Sequence, residues 1–331
     1  MCGGAGLCLP ARAATGHVLI ATASREAPYT AATEGIQRAL ASHSIASEML
    51  QLPADAAASR PEVALRPEVT LRPEVAPRPE VALRPEVAPR PEVAPRPEVK
   101  TGSAQLAIAV GIDAFRAVAA LRGRVPVVAT MCFHSDMGNT EPGELGLAGA
   151  LWLEMPLALV VAGLRLIFPE ADRIAVVQGT SQPDTGETPG HPRSLPAGVS
   201  LQTVECAGPS ELLASLRKLR GKADCVICLP DGNLYNKTTV EPLILASLEH
   251  KLPLVGYSAS FVRAGAALGV YPDFSDIGEQ TAALAERVAG NAPAVLTEHP
   301  RRAIVAANER VLHLLGRDYR PKPGDPVVVV R

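Results

Sequence analysis

Three residues near the C-terminal end of the chain have the types and the order of a nucleophilic triad. Ser258 lies in the segment Gly256-Tyr-Ser-Ala-Ser260, which follows a predicted strand and approaches the Gly-x-Ser-x-Gly pattern of a nucleophilic serine. Asp273 and His299 follow it in the chain order Ser, Asp, His. Ser260 replaces the last glycine of the motif, and no glycine run upstream suggests an oxyanion hole. A serine hydrolase that uses Ser258 therefore stands as an alternative function.

Sulfur and metal chemistry receive less support from the spacing. Cys225 and Cys228 have the CxxC spacing but lie in an apolar run that predicts a strand. Residues three apart on a strand point to opposite faces, so the two thiols cannot share a metal and are predicted to be structural and buried. Cys132 and His134 could act as nucleophile and base, but such spacing is weak support. No second CxxC, HxxxH or HExxH spacing occurs, and no phosphate-binding glycine motif is present, so we expect neither a metal nor a cofactor.

Polar and aromatic residues follow the predicted strands, where open parallel sheets bind their ligands. The candidate ligand-binding residues at these strand ends are Ser24, Gly111, Asp113, Phe133, Thr180, Asp231, Asn233, Tyr257 and Ser258. Their hydroxyls, amides and carboxylates suit a small zwitterion or another polar solute. Each also has a simpler interpretation, because Ser24 could begin a turn, Asp113 could sit in a first helical turn, and Asp231 could form a turn with Gly232 and Asn233.

The elements that would position these residues alternate between strand and helix. Continuous apolar runs predict strands at 17–24, 45–52, 104–110, 125–130, 173–178, 200–206, 225–229 and 252–257, with helices between them. Uninterrupted apolar strands are typical of a parallel sheet covered on both faces. A helix at about 156–168 separates two such series. The pattern predicts an α/β protein of two Rossmann-like lobes with a ligand cleft between them.

The predicted division of the chain follows from these two series. We assign residues 17–137 and about 260–290 to lobe 1, and residues 138–259 and about 300–320 to lobe 2. Residues 60–99 form an insertion with seven copies of Arg-Pro-Glu-Val at a period of six, and its prolines predict an extended or disordered segment. Residues 1–16 form a leader or a partial signal segment, since the apolar part is short for a signal peptide.

Composition excludes several classes of function. The 331 residues carry a net charge of −2 and only 3% aromatic residues, which argues against nucleic-acid binding. Hydrophobic residues make up 47% of the chain, which excludes global disorder. No run reaches the length of about 18 apolar residues that a membrane span requires.

The C-terminal third resembles a known family of binding proteins. The segment from Leu252 to Gly290 has a proline-led strand, a short serine loop, Val-x-x-Gly-Ala, Pro-Asp, and an Ile-Gly pair before an alanine-rich helix. The matching residues are Pro253, Ser258, Val262, Gly265, Ala266, Pro272, Asp273, Gly278 and, later, Asn308. The segments 107–111 and 169–177 match as well. In these residues the chain resembles the ABC transporter substrate-binding proteins with a type I periplasmic-binding fold, which include tryptophan- and tyrosine-binding members.

This resemblance implies a non-catalytic solute-binding protein of an ABC-type importer. A small organic solute, with an amino acid as one option, would be captured by closure of the two lobes, and the closed form would dock on an ABC permease. Asp231 is the candidate partner of a ligand amine, and Tyr29, Phe133 and Tyr257 would form an aromatic fringe. We expect a monomer in the periplasm or outside the cell, whereas a cytoplasmic ligand-sensing domain of the same fold is a further alternative.

Overall fold

The computed structural model describes residues 17–52, 104–118, 125–138, 140–180, 195–290, 294–320 and 327–330. The expectations for residues 1–16 and for the repeat at 60–99 lie outside these ranges. The strands are β1 (His17–Thr22), β2 (Ala46–Gln51), β3 (Leu106–Val110), β4 (Val127–Cys132), β5 (Gly149–Trp152), β6 (Arg173–Gly179), β7 (Ser200–Cys206), β8 (Cys225–Cys228), β9 (Leu254–Gly256), β10 (Leu268–Pro272), β11 (Leu296–Glu298), β12 (Ala303–Asn308) and β13 (Val327–Val330). The helices are α1 (Ala27–Ser42), α2 (Ile112–Ala117), α3 (Leu157–Arg165), α4 (Pro209–Leu219), α5 (Val240–Glu249), α6 (Ala259–Ala264), α7 (Phe274–Ala289) and α8 (Glu309–Leu314).

The first sheet has the strand order β11-β5-β4-β3-β1-β2, and every pair in it is parallel. Its central strands are buried on both faces, which explains their uninterrupted apolar sequences. Along β3, Ile108 contributes to the core beneath α1 and α7, whereas Ala107 and Ala109 face the opposite core beside Phe115 of α2.

The second sheet has the strand order β13-β12-β10-β9-β8-β6-β7. Its strands β6 to β10 repeat the order of β1 to β5 and are mutually parallel, whereas β12 runs antiparallel to β10. Cys225 and Cys228 on β8 are buried in different cores, as the sequence predicted from their spacing. Burial raises the pKa of the Cys225 thiol and raises that of Cys228 to about 12. Both thiols are therefore protonated near neutral pH.

The chain crosses between the two sheets in three places, at residues 153–156, at Asp273 and at residues 299–302. The strand order corrects the division expected from the sequence at two points. Residues 149–152 form a strand of the first sheet, and residues 259–272 belong to the second sheet. The short strand β5 is followed closely by the apolar helix α3, so hydrophobic periodicity does not separate the two elements.

Helix α7 returns to the first sheet and packs on α1. The two helices approach closely where Gly35 faces Gly278, because a β-carbon on Gly278 would lie 2.7 Å from the α-carbon of Gly35. An ion pair links α7 to the third crossover: the half-exposed Arg301 guanidinium donates from Nε and Nη2 to the carboxylate of Asp276, at 3.0 to 3.2 Å. The carboxylate of Asp276 is only 3% exposed.

Candidate functional site

The candidate residues lie at the topological switch point of each sheet. In the first sheet, β1 and β3 are neighbours, and the chain continues from β1 to β2 on one side of the pair and from β3 to β4 on the other. In the second sheet, β6 and β8 have the same relation. Such a point leaves a crevice beyond the carboxyl ends of the two strands. Ser24 and Gly111 follow β1 and β3, and Thr180 and Asp231 follow β6 and β8.

At the first switch point, the ring of Tyr29 lies against Gly111. A β-carbon on Gly111 would be 2.7 Å from Cε1 of Tyr29, and the φ angle of Gly111 is 94°, a value that favours glycine. The hydroxyl of Ser24 accepts a hydrogen bond of 3.2 Å from the backbone N–H of Glu26, which sets the turn into α1. Burial raises the pKa of Tyr29, and neighbouring Glu26 adds to the effect. The simpler role of Ser24 is thus observed, and Tyr29 is held as a wall of the crevice.

Asp113 and Phe133 lie at the same end of the first sheet. Asp113 is in the first turn of α2, and one of its oxygens lies 3.9 Å from Arg116. Phe133 follows β4 and opens a short 3-10 helix at His134–Met137, where its backbone N–H donates to the carboxylate of Asp136 at 2.9 Å. The two residues are partly exposed, so both can contact a solute.

At the second switch point, Asp231 packs against Gly179. Its Oδ1 accepts hydrogen bonds from the backbone N–H groups of Asn233 and Leu234, at 2.8 and 3.1 Å. A β-carbon on Gly179 would overlap Oδ2 of the same carboxylate. Asp231 therefore forms the turn that its sequence context suggested, while its second oxygen faces the end of β6. Thr180 and Asn233 are exposed on either side.

An aromatic group lines the loop after β9. The ring of Tyr257 lies 5.9 Å from that of Tyr235 and 5.4 Å from that of Phe261. Burial raises the pKa of Tyr257 to about 12, with further contributions from Cys228 and Asp231. Tyr257 therefore stays a neutral hydroxyl, able both to donate and to accept a hydrogen bond.

The three residues with triad order each have a structural role. The hydroxyl of Ser258 caps α6 by accepting from the N–H of Phe261 at 3.2 Å, and Asp273 caps α7 through the N–H groups of Ser275 and Asp276. The His299 ring contacts the backbone oxygen of Glu154 through Nδ1 at 3.2 Å. Burial also raises the pKa of the Cys132 thiol, which opposes a nucleophilic role for that residue.

Two buried side chains near the crossovers were missing from the predicted set. Glu154 lies in the first crossover, and its Oε1 accepts a hydrogen bond of 2.6 Å from the backbone N–H of His134. Its Oε2 and the Oε1 of Gln178 are buried and have no hydrogen-bond partner among the described residues. The sequence signals are a carboxyl that interrupts an apolar run and an amide that ends a buried strand.

No group of three or more His, Cys, Asp or Glu side chains is arranged to hold a metal ion within the described part of the chain. None of the described helices combines the length and the hydropathy that a membrane crossing requires.

Comparisons with known proteins agree on the fold. No protein-family model and no curated protein matches the chain. The ligand-free, open structure of CD0873, a substrate-binding protein with adhesive properties from Clostridium difficile, is similar at a TM-score of 0.61 and 13% identity, over 96% of this chain and 99% of that chain. A conserved domain protein from Vibrio cholerae has a TM-score of 0.50 and 15% identity, over 96% of this chain and 100% of its own.

A more distant likeness is to a protein from Streptococcus pneumonia solved with L-Trp, at a TM-score of 0.48 and 15% identity, over 95% of this chain and 100% of that chain. At that distance the likeness says nothing about the ligand of the present chain. The first similarity and the strand orders together confirm the predicted architecture. The chain has the two-lobed α/β fold of the substrate-binding proteins, with Rossmann-like lobes joined by three crossovers.

Proposed function

We propose that the protein captures a small organic solute between its two lobes. The observation that carries this proposal is the matching placement of polar and aromatic groups at both switch points, with Tyr29 against Gly111 in one sheet and Asp231 against Gly179 in the other. Ligands of open parallel sheets bind at such points. A solute that contacts both lobes gains interactions only when they approach, so its binding favours a closed state.

The crossovers supply a hinge for this closure. The ring of His299 in the third crossover contacts the backbone oxygen of Glu154 in the first. The side-chain amide of Gln280 on α7 donates to the backbone oxygen of His299 at 2.8 Å. These bonds tie neighbouring crossover segments to one another, and we infer that the lobes rotate about them as about a single hinge.

The chemistry of the site favours a polar solute with an apolar body. Tyr257 and Tyr29 offer ring faces, and neutral phenol groups at their pKa values above 10 can hydrogen-bond without adding charge near pH 7. Asp231 offers a carboxylate whose Oδ2 is not used by the turn N–H groups that bind Oδ1. An amino acid fits this set, and we propose amino acids as one class of solute. The protein would act as the monomeric binding protein of an ABC-type importer. It would capture the solute outside the cytoplasm and deliver it to a permease.

A thermal-shift screen over amino acids and small organic solutes tests the proposal. A solute present at about 100 times its Kd stabilises the native state by about 2.7 kcal/mol, which raises Tm by several degrees. Asp231→Asn should weaken the binding of an amine-bearing solute, and Asp172→Asn, at an exposed carboxyl just before β6, is the matched control. A screen in which no solute raises Tm would contradict the function. Ester hydrolysis abolished by Ser258→Ala would instead establish the alternative.

A further inference from the structure

The first crossover carries a carboxyl group whose surroundings point to a ligand cation. Glu154 lies between β5 of the first sheet and α3 of the second. Two contacts fix its position, since Oε1 accepts from the N–H of His134 at 2.6 Å and its backbone oxygen contacts Nδ1 of His299 at 3.2 Å. Its side chain is therefore held at the carboxyl edge of the first sheet, where the chain passes to the other lobe.

The second oxygen of this carboxyl group has no donor among the described residues. Oε2 of Glu154 is buried and has no hydrogen-bond partner there, and no Lys or Arg pairs with Glu154 within the same ranges. Burial raises the pKa of Glu154, the N–H and the nearby ring of His134 act against this, and Asp136 adds to it. A buried acceptor without a donor is unfavourable, so a donor that reaches Oε2 would stabilise the protein.

A second buried acceptor lies at the facing strand end. Gln178 at the end of β6 is 1% exposed, and its Oε1 has no partner in the part of the chain that the structure describes. Alternation along the strand places Gln178 on the same face as Ile174 and Val176, the face against which Met155 and Leu157 pack. Gln178 thus lies on the side of the second sheet where the crossover of Glu154 arrives.

From these two acceptors we infer that Glu154 and Gln178 bind the ammonium group of the solute and make the protein selective for cationic solutes. An ammonium group carries three N–H donors and no acceptor, so it would supply the donor that Oε2 of Glu154 lacks, neutralise the carboxylate and keep donors for a second acceptor such as Oε1 of Gln178. The inference rests on the proposed solute-binding function. It adds to the proposed contact with Asp231, which lies in the turn after β8 and already accepts two backbone hydrogen bonds.

The test compares amines with neutral molecules of the same shape on the full chain. The pairs are 2-phenylethylamine with 2-phenylethanol, 1,4-diaminobutane with 1,4-butanediol, and the screened amino acids with their N-acetyl forms. Calorimetric titration and thermal shift give Kd and Tm for each. We expect an amine to bind at least tenfold more tightly than its neutral counterpart. This comparison needs no variant, so it holds even if a substitution at Glu154 prevents folding.

Variants then test whether the preference for amines depends on Glu154 in the first crossover. Glu154→Gln keeps the shape and removes the charge, and it should weaken amine binding by roughly 10- to 100-fold while leaving a neutral solute unaffected. Gln178→Leu should weaken the binding of the same amine. Glu144→Gln, at an exposed carboxyl in the loop before β5, should change nothing.

The outcomes separate the two proposals. A neutral solute that binds the wild type and Glu154→Gln equally, with no amine preferred, overturns the cation selectivity and leaves solute binding in place. An amine that binds Glu154→Gln as tightly as the wild type also overturns the assignment. Absence of binding by every solute contradicts both proposals.

Discussion

At both switch points a side chain packs on a glycine at a strand end, but the type of side chain differs. In each, a glycine at a strand end lets a side chain from a neighbouring segment lie directly on the backbone, as Tyr29 of α1 does on Gly111 and Asp231 does on Gly179. The first switch point thereby carries an aromatic ring, and the second carries a carboxylate. Under the proposed function, the shared strand order sets where a solute would bind, and the residue that covers each glycine sets which chemical group would contact it.

The two lobes also differ in how their sheets are completed. The first sheet ends in β11, which is parallel to β5, and is covered by α7, although both elements follow β10 of the second sheet in the chain. The second sheet continues past β10 with β12, which is antiparallel to β10, and ends in β13. The first lobe therefore depends on a long-range helix contact, so damage at that contact should affect the first lobe more than the second.

The largest expected effect is at the contact between α1 and α7. Gly278→Ala places a β-carbon 2.7 Å from both the α-carbon of Gly35 and the backbone nitrogen of Ile36, so the helices must separate. Overpacking against backbone should lower the free energy of unfolding by about 3 kcal/mol. Urea denaturation followed by the fluorescence of Trp152, the single tryptophan and a buried residue of β5, reports on this lobe.

The control for this change is Gly232→Ala. An added β-carbon there meets no atom within 4 Å, so the unfolding free energy should change by less than about 0.5 kcal/mol. If Gly278→Ala were as mild as the control, α7 would not be a required part of the first lobe.

A smaller and unequal pair of effects is expected at the switch points. Gly111→Ala forces a φ angle of 94° on a residue with a side chain and displaces the ring of Tyr29, which together should cost about 2–3 kcal/mol. Gly179→Ala meets only the flexible end of Asp231 and should cost about 1 kcal/mol, while solute affinity falls by more than tenfold. Urea denaturation of both variants gives the unfolding free energy, and titration gives the solute affinity. Equal losses of stability in the two variants would contradict the distinction between the switch points.

The fold was largely predictable because its strands are buried on both faces. Continuous apolar runs identified β3 and β4, and alternation along β8 placed Cys225 and Cys228 in separate cores. The sequence did not assign β5 and β10 to their sheets. Sheet membership after a crossover depends on pairing between distant segments, such as β5 with β11, which local periodicity does not encode.

The strand-end positions of the candidate residues were predictable from the sequence, whereas the contacts of their side chains were not. The rule for strand ends identified Gly111 and Asp231 from the sequence, and the structure places each at a switch point. Glu154 and Gln178 were not identified as site residues. What marks them is an oxygen without a donor, and this property depends on the groups that surround each side chain after folding.

The smallest expected effect concerns two carboxyl groups whose pKa values move in opposite directions. Partial burial tends to raise the pKa of Asp224 in the second lobe, but Arg173 and two backbone N–H groups outweigh it and lower that pKa. Asp224→Asn should therefore cost stability at pH 7, by less than about 1 kcal/mol, and this cost should vanish as the pH falls through the lowered pKa, below about 4.

For Glu154 the sign is reversed. Burial raises its pKa in the folded state, so the unfolded chain loses the proton first, and stability falls as the pH rises above the ordinary value of about 4.3. Glu154→Gln removes this dependence, so the variant should gain stability relative to the wild type between pH 4 and pH 7. Urea midpoints at pH 7, pH 4 and about pH 3 measure both effects, because the Asp224 contribution is lost only below about pH 4. If Glu154→Gln and Asp224→Asn shifted in the same direction with pH, the carboxyl group at the crossover would already be neutralised by a partner within the protein, and the opposition between the two carboxyl groups would fail.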